Sequence, residues 1–157
     1  LGLAATTAYL MADWSSATRG AAVVLGRTAY SDDNDRNRLR ARLWQSVCDC
    51  VVYVQLAAET YSNSRPYTGS YFSPDRYTRA LAGVGVRECT SAGTFAARAE
   101  YGVQDVDGEQ QPSHTLTASF ESPRSADGWQ WSAELVHDRK QPGYTYSQAQ
   151  LRLIKRF

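Results

Sequence analysis

Three arginines at alternate positions are the residues whose type and spacing most clearly indicate chemistry. Arg38, Arg40 and Arg42 stand between apolar residues in one short segment. Alternate residues of a β-strand point to the same face, so the three guanidinium groups would form a ladder of forked hydrogen-bond donors. Such a ladder either binds hydroxyl and acetyl groups of a ligand or pairs with carboxylates on other strands. The candidate carboxylates are Glu59, Glu100 and Glu121.

Two other clusters of reactive residue types do not indicate catalysis or metal binding. The acidic run at residues 32–35 lacks the glycine and the distal glutamate of an EF-hand loop, and a solvated turn explains it better. His114 and His137 have no serine or cysteine nucleophile signature beside them. We therefore expect no enzyme activity, no metal site and no cofactor.

Composition limits the classes of partner and fold. The 157 residues contain 17 basic and 16 acidic side chains, and the net charge of +1 disfavours nucleic-acid binding through bulk charge. Hydrophobic residues make up 43% and charged residues 21%, which is typical of a folded chain of one domain. The longest uncharged stretch, residues 1–12, is shorter than the roughly 20 residues of a membrane-spanning helix.

Apolar and polar residues alternate with a period of two along most of the chain, which predicts about nine strands. In the clearest of them, Leu116, Ala118 and Phe120 share one face, and Thr117 and Ser119 lie on the other. Segments rich in Ser, Asp, Asn, Pro and Gly predict the connectors. These segments are residues 31–35, 62–66, 105–113, 122–128 and 139–143. The pattern predicts an all-β, antiparallel, up-and-down meander.

Two folds share this alternation: a soluble barrel or sandwich with a dry core, and a transmembrane β-barrel with an apolar outside and a polar lumen. The position of the aromatic residues favours the transmembrane barrel. If the C-terminus lies in the periplasm, aromatic residues of the apolar face gather near the periplasmic ends of their strands, as in a membrane girdle. Lys155 interrupts the apolar face and is expected to extend to the headgroups. The predicted girdle residues are Phe95, Phe120, Trp129, Trp131 and Phe157.

Two segments with an unusual sequence follow each other: residues 61–66, Tyr-Ser-Asn-Ser-Arg-Pro, and residues 69–74, Gly-Ser-Tyr-Phe-Ser-Pro, followed by Tyr77. They resemble the barrels of exopolysaccharide export porins, which are outer-membrane subunits of poly-N-acetylglucosamine and cellulose secretion systems. The Tyr-Phe-Ser-Pro segment is the most specific part. The resemblance covers roughly residues 20–157, and three further similar segments are residues 30–36, 135–139 and 151–157.

The resemblance implies a bacterial outer-membrane barrel of about sixteen strands that follows a periplasmic tetratricopeptide region. Residues 1–157 would be such a barrel domain or its C-terminal half. The implied function is a porin that conducts a secreted exopolysaccharide through a polar lumen without a cofactor. The implied partners are outer-membrane lipid, the polysaccharide chain, and periplasmic and inner-membrane synthase components. A small closed barrel with a structural or adhesion role and a soluble β-sandwich binding module stay as alternatives.

The residues predicted along the polysaccharide path are those that strand parity places on the polar face. Among them, Trp44 and Tyr53 could stack on sugar rings or pack within the interior. The predicted path residues are Arg38, Arg40, Arg42, Trp44, Tyr53, Glu59, Arg98, Glu100, Glu121, Glu134 and Arg152.

Counting strands back from a periplasmic C-terminus also predicts the topology. All three cysteines, Cys48, Cys50 and Cys89, then lie at the periplasmic rim. Because the periplasm is oxidising, we predict a disulfide between Cys89 and either Cys48 or Cys50, with three free thiols as the alternative. The segments around residues 31–36, 63–74, 104–113 and 139–144 would be extracellular loops. The segments around residues 47–50, 87–93 and 123–127 would be periplasmic turns.

Overall fold

The chain forms one curled, antiparallel, nine-stranded sheet. The computed structural model describes residues 3–48, 51–141 and 144–155. In that part of the chain there is no helix with the length and apolar character needed to cross a membrane. The strands are β1 (Ala5–Ser15), β2 (Arg19–Tyr30), β3 (Asp35–Cys48), β4 (Val52–Asn63), β5 (Arg76–Thr90), β6 (Gly93–Val106), β7 (Glu109–Glu121), β8 (Trp129–Gln141) and β9 (Tyr144–Lys155).

Each strand pairs with its neighbours in sequence, which confirms the all-β, antiparallel, up-and-down architecture. Within the described residues β1 pairs with β2 alone and β9 with β8 alone, so the curled sheet has two open edges. It therefore has the form of a half-barrel. These strands form one sheet, and they make neither a small closed barrel nor a two-layer sandwich. A half-barrel of this kind is what part of a larger barrel contributes.

The predicted alternation separates the two faces of the sheet. On the outer, convex face large apolar side chains are exposed: Leu25 is 50% exposed and Leu151 is 75% exposed. On the inner, concave face Gln104 is 1% exposed and Arg79 is 6% exposed. The polar side chains are thus the buried ones, which is the reverse of the usual distribution in a water-soluble domain.

One row of paired outer-face residues shows how the strands are inclined. The row begins two residues after the start of β2 and ends two residues before the end of β8, so it climbs from one rim of the sheet to the other. Such a stagger is the shear that a barrel requires, and it corresponds to a strand inclination of about 40°. The row consists of Ala21, Leu43, Leu56, Ala82, Tyr101, His114 and Arg139.

The hairpin between β6 and β7 is tighter than predicted, and the predicted connector 105–113 is wrong. Only Asp107 and Gly108 separate the two strands, and both have positive φ, 55° and 95°. This is the backbone of a two-residue hairpin, which fixes the register between β6 and β7. The residues on both sides of the turn are mostly polar, so the alternation does not reveal the strand ends in the sequence. Pro112 lies in the part of β7 that pairs with β6 alone among the described pairs, where a sheet tolerates proline. β8 likewise runs into the predicted connector 139–143.

Gly102 provides a test of the close approach between β5 and β6. A Cβ at Gly102 would collide with the carbonyl group of Ala80, so Gly102→Ala should destabilise the protein by about 1–3 kcal/mol. The measurement is the temperature at which the full-length protein loses its compact band on an SDS gel. Gly26→Ala is the matched control, because the atoms nearest its new Cβ lie 3.8 and 3.9 Å away. Equal unfolding temperatures for the two variants would contradict the close approach.

Candidate functional site

The arginine ladder of β3 lies on the inner face and pairs with a carboxylate of β4. The register of the two strands places Arg40 directly opposite Glu59. Glu59 Oε1 lies 3.2 Å from Arg40 Nε and 3.3 Å from Arg38 Nε. The side chains of Arg38 and Arg40 remain 33% and 48% exposed, so the ion pair leaves both guanidinium groups accessible.

A second ion pair lies beside the third arginine of the ladder. Arg98 Nε is 3.1 Å from Glu100 Oε2 on β6. Arg42, Arg98 and Glu100 line one cavity with a volume of about 370 Å³. The charged side chains around this cavity include more guanidinium than carboxylate groups, and they are Arg40, Arg42, Glu59, Arg79, Arg98 and Glu100.

Arg79 connects the inner faces of β5, β7 and β8. Its Nε donates to Ser113 Oγ at 2.7 Å, and its Nη2 donates to Thr115 Oγ1 at 3.0 Å and to Asp138 Oδ1 at 2.5 Å. The side chains of Arg79 and Asp138 are 7% and 15% exposed. Removing one member of a buried pair typically costs about 3–5 kcal/mol, because it leaves a buried charge uncompensated. The pair therefore links β5 to β8 across the curl of the sheet.

Trp44 and Tyr53 pack against glycines of neighbouring strands. A Cβ at Gly20 would lie within 2.8 Å of three atoms of the Trp44 indole, and a Cβ at Gly85 would collide with the Tyr53 ring. Each ring thus covers backbone at a position without a side chain, which supports the register of the sheet. Both residues are half-buried and line one cavity of about 670 Å³. The rings of Trp44 and Tyr53 therefore pack against the backbone and remain partly accessible from the cavity.

The β4–β5 loop, residues 64–75, folds back over the inner face at the rim where β4 ends. Arg36 of β3 holds this loop in place. Its Nη2 donates to the carbonyl oxygen of Phe72 at 2.6 Å, and its Nε donates to Asn63 Oδ1 at 2.9 Å. The guanidinium also lies 5.8 Å from the centre of the Tyr71 ring, within the range of a cation–π contact.

Stacked tyrosines complete the contact between the loop and the strands. Tyr71 stacks on Tyr30 with ring centres 4.6 Å apart, and its hydroxyl accepts a hydrogen bond of 2.6 Å from Asn34 Nδ2. Tyr61 stacks on Tyr77, also at 4.6 Å. Asn34 and Tyr77 are 1% and 0% exposed, and Ser73 of the loop is 4% exposed, so the end of the loop before β5 packs against the interior. These four tyrosines surround the guanidinium of Arg36, and the five residues form the tyrosine cluster: Tyr30, Arg36, Tyr61, Tyr71 and Tyr77.

The loop also reaches the β6–β7 turn. The Tyr67 hydroxyl donates to Asp107 Oδ2 at 2.8 Å. This hydrogen bond raises the pKa of Tyr67, because loss of the proton would break the bond and place a phenolate beside a carboxylate. Asp107 Oδ1 accepts a further hydrogen bond of 2.7 Å from the backbone N–H of Arg76. The two neighbouring hairpins are thus joined at this rim.

Some buried polar atoms of the inner face have no hydrogen-bond partner among the described residues. An unpaired buried polar group costs about 1–3 kcal/mol, so these atoms mark where hydrogen bonding within the described interior is incomplete. The atoms are Gln55 Nε2, Glu100 Oε1 and Gln104 Nε2, together with Arg38 Nε and Arg98 Nε, which form no hydrogen bond but lie in ion pairs with carboxylates.

Of the other predicted path residues, Glu134 and Arg152 lie apart from the arginine ladder, whereas Glu121 also lines the cavity that contains Arg42 and Arg98. Glu121 Oε1 accepts a hydrogen bond of 2.7 Å from Gln130 Nε2. Glu121, Glu134 and Arg152 line a separate cavity of about 210 Å³. The structure thus brings together Arg38, Arg40, Arg42, Glu59, Arg98 and Glu100, with Glu121 near Arg42 and Arg98, and places Glu134 and Arg152 elsewhere on the inner face.

The predicted girdle residues that the structure describes lie together on the outer face near one rim. The ring centre of Phe120 is 4.6 Å from that of Phe95 and 4.7 Å from that of Trp131. Lys155 Nζ lies 5.0 Å from the centre of the Trp129 ring, so this cation extends over an aromatic face. Phe157 lies outside the described residues, and the membrane role of the girdle stays a prediction.

The predicted disulfide stays a prediction as well. Cys89 is exposed, and its Sγ lies 3.6 Å from Thr94 Oγ1. Cys50 and the side chain of Cys48 lie outside the part of the chain that the structure describes.

The acidic turn before β3 contacts arginines. Asp35 Oδ2 lies 2.9 Å from Arg27 Nη2, and Asp33 Oδ2 lies 3.6 Å from Arg65 Nη1. Among the described side chains no three of the His, Cys, Asp or Glu type are arranged to hold a metal ion.

Three residues that organise the interior were not predicted from the sequence: Arg36, Arg79 and Asp138. Arg36 has the same parity as the ladder, so alternation could have found it. Arg79 and Asp138 are 59 positions apart, and no local signal indicates that they meet.

A curled sheet with an apolar outside and a charged, hydrogen-bonding inside is the architecture of a barrel wall around a polar lumen. No protein-family model matches the chain, and no curated protein matches it. A solved structure described as a bacterial polysaccharide outer membrane secretin is similar to it, with a TM-score of 0.74. The match covers 99% of this chain and 58% of the other at 14% sequence identity. At this identity the likeness shows a shared fold.

Arg36 provides a test of how the loop is held. Arg36→Met removes the hydrogen bonds to the loop and to Asn63, so amides of residues 67–74 should exchange with deuterium at least about tenfold faster. Hydrogen exchange with mass spectrometry of the full-length protein measures this rate. Arg40→Met is the matched control, because it makes the same change on the same face at a residue that contacts Glu59 instead. Unchanged exchange in Arg36→Met would show that other contacts hold the loop.

Proposed function

We propose that the chain forms part of the wall of a bacterial outer-membrane porin that conducts a secreted exopolysaccharide. The observation that carries this proposal is the sidedness of the sheet, in which nine paired strands expose apolar side chains outward and bury charged ones inward. A bilayer admits a β-structure only when its backbone groups are paired and its outer side chains are apolar. The solved neighbour, described as a polysaccharide outer membrane secretin, supports the choice of a polysaccharide as cargo.

The chemistry of the inner face suits a chain of sugars that must bind weakly and move on. Arg40 and Arg42 offer forked donors to hydroxyl and acetyl oxygens, and the guanidinium of Arg40 stays accessible beside its carboxylate. Trp44 and Tyr53 present partly accessible rings for stacking on the apolar faces of sugars. Several weak sites in series allow entry and release, which conduction requires.

The conduit requires no catalytic step and no cofactor. The energy of polymer synthesis at the inner membrane would drive the chain outward, so periplasmic and inner-membrane synthase components are the expected partners. The outer face would contact outer-membrane lipid, with the girdle at the periplasmic boundary.

The orientation of the sheet can be tested by labelling cysteines in intact cells. With the native cysteines replaced by serine, a cysteine at Gln110, near the β6–β7 turn, should react with a membrane-impermeant maleimide. A cysteine at Ala126, in the β7–β8 connector, should react only after the outer membrane is opened. Both native residues are exposed, so accessibility of the position does not bias the comparison. The reverse pattern would refute the proposed orientation.

The role of the ladder can be tested with the triple variant Arg38→Ala, Arg40→Ala, Arg42→Ala. Loss of three positive charges from the lumen should shift ion selectivity toward cations, because fixed charges concentrate counter-ions in a narrow pore. The reversal potential of the full-length porin in a potassium chloride gradient measures the shift, and polymer export is measured in cells.

The control for this variant removes the same charge from the outside of the sheet. Arg27, Arg76 and Arg139 occupy positions of outer-face parity, and their triple replacement by alanine should leave the reversal potential unchanged. If the inner triple variant exports polymer and conducts like the parent, the ladder does not contribute to the conduction path.

A further inference from the structure

We infer that the outer face of β7, β8 and β9 binds the phosphate headgroup and acyl chains of lipid A from the outer leaflet. The inference rests on the proposed function, because it requires the rim at the end of β8 to face the cell exterior. It adds a lipid ligand, on the opposite side of the sheet from the polysaccharide path.

Polar residues gather on this face where the alternation otherwise places apolar ones. The rings of His114 and His137 stack with centres 5.8 Å apart and planes 24° apart. His137 Nδ1 lies 2.9 Å from Ser147 Oγ. Arg139 is paired with His114 in the register of β7 and β8. These four residues, the polar crown, combine a guanidinium, two imidazoles and a hydroxyl, which are all hydrogen-bond donors to phosphate oxygens.

An apolar groove continues from the polar crown across the outer face. It has a volume of about 510 Å³, and His137 and Ser147 belong to its lining. Ala118 and Ala149 are paired with Leu135 on its two sides, so small side chains leave a depression beside a large one. The apolar residues of the groove with outer-face parity are Leu116, Ala118, Leu135 and Ala149.

The position of the polar crown matches the height of a headgroup. The row of paired residues that climbs from the start of β2 reaches Arg139 two residues before the end of β8. The girdle residues Phe120 and Trp131 lie at the opposite end of the same strands. A lipid-facing arginine is tolerated near the membrane interface and is costly at the midplane, so this rim is where Arg139 is acceptable.

The charge of the polar crown has no carboxylate beside it on its own strands, and the outer-face carboxylate of the neighbouring strand β6, Asp105, lies opposite Gln110, nearer the turn. By strand parity, none of the described outer-face side chains of β7, β8 and β9 is a carboxylate, and Asp138 points inward to Arg79. Arg27, an outer-face arginine near the same rim, is instead paired with Asp35 at 2.9 Å. The polar crown therefore favours an anion, and the groove beside it favours hydrocarbon.

Lipid A combines both properties, since it carries phosphate groups on a headgroup attached to several acyl chains. Depressions on both sides of Leu135 accept more than one chain, which suits a multiply acylated lipid. The ligand expected at the polar crown and its groove is lipid A of the outer leaflet and not glycerophospholipid of the inner leaflet.

The test is a titration of the full-length protein, purified in detergent and stripped of lipid, with diphosphoryl lipid A followed by native mass spectrometry. The double variant His137→Ala, Arg139→Ala should bind at least about tenfold more weakly than the parent. Arg27→Ala, the control, should bind within about twofold of the parent. Dephosphorylated lipid A and phosphatidylglycerol should each bind the parent at least about tenfold more weakly than diphosphoryl lipid A.

Three results would overturn the inference: equal affinity of the double variant and the parent, equal binding of dephosphorylated lipid A, or equal binding of phosphatidylglycerol. Retention of the compact gel band shows that a variant is folded, and His137→Gln, Arg139→Gln replaces the alanine pair if that band is lost. Failure of lipid A binding leaves the channel measurements standing. Absence of both conduction and polymer export by the parent protein refutes the proposed function instead, so the two failures are distinguishable.

Discussion

Pairing of the backbone N–H and C=O groups between neighbouring strands is the constraint on which this structure depends. In hydrocarbon an unpaired peptide group costs several kcal/mol, so each strand of the proposed membrane wall must keep its register with both neighbours. A slip of one residue would exchange the two faces of a strand. In β3 the same register that turns Leu39 and Leu43 outward therefore turns the arginine ladder inward. The charged interior is a direct consequence of the apolar exterior.

The interior divides its charges between two kinds of contact. Arg79 and Asp138 are almost fully enclosed and link β5 to β8 across the curl of the sheet. Arg38 and Arg40 share the carboxylate of Glu59 and keep a large exposed fraction. At the rim the tyrosine cluster and the β4–β5 loop cover the inner face, and Arg36 contributes hydrogen bonds and ring contacts at once. Rigid pairs thus shape the wall, and accessible charges face the lumen.

Alternation along the chain was sufficient to predict the strands, their faces and the inward ladder, because parity is a local property. The partner of each charge was harder to predict. Arg79 meets Asp138 only because the sheet curls and because the long arginine side chain spans β6 to reach β7 and β8. Neither property is visible in a local sequence pattern. The connector 105–113 was wrongly predicted because the ends of β6 and β7 are polar on both faces, so the Asp-Gly turn was the only local signal. The fold of the β4–β5 loop depends on Tyr71, which stacks on Tyr30 and accepts a hydrogen bond from Asn34. Both partners are distant from the loop in the sequence.

The meander has a kinetic consequence. Every ladder joins strands that are adjacent in sequence, so each new strand closes a short loop and loses little chain entropy. The sheet can therefore grow strand by strand from any formed hairpin, and the two-residue β6–β7 hairpin is a favourable nucleus. The contact between Arg79 and Asp138 must wait until β5 to β8 are in register, which makes it a late event. Interactions that form after the transition state slow unfolding and leave the folding rate almost unchanged. This ion pair therefore contributes mainly to the lifetime of the folded wall.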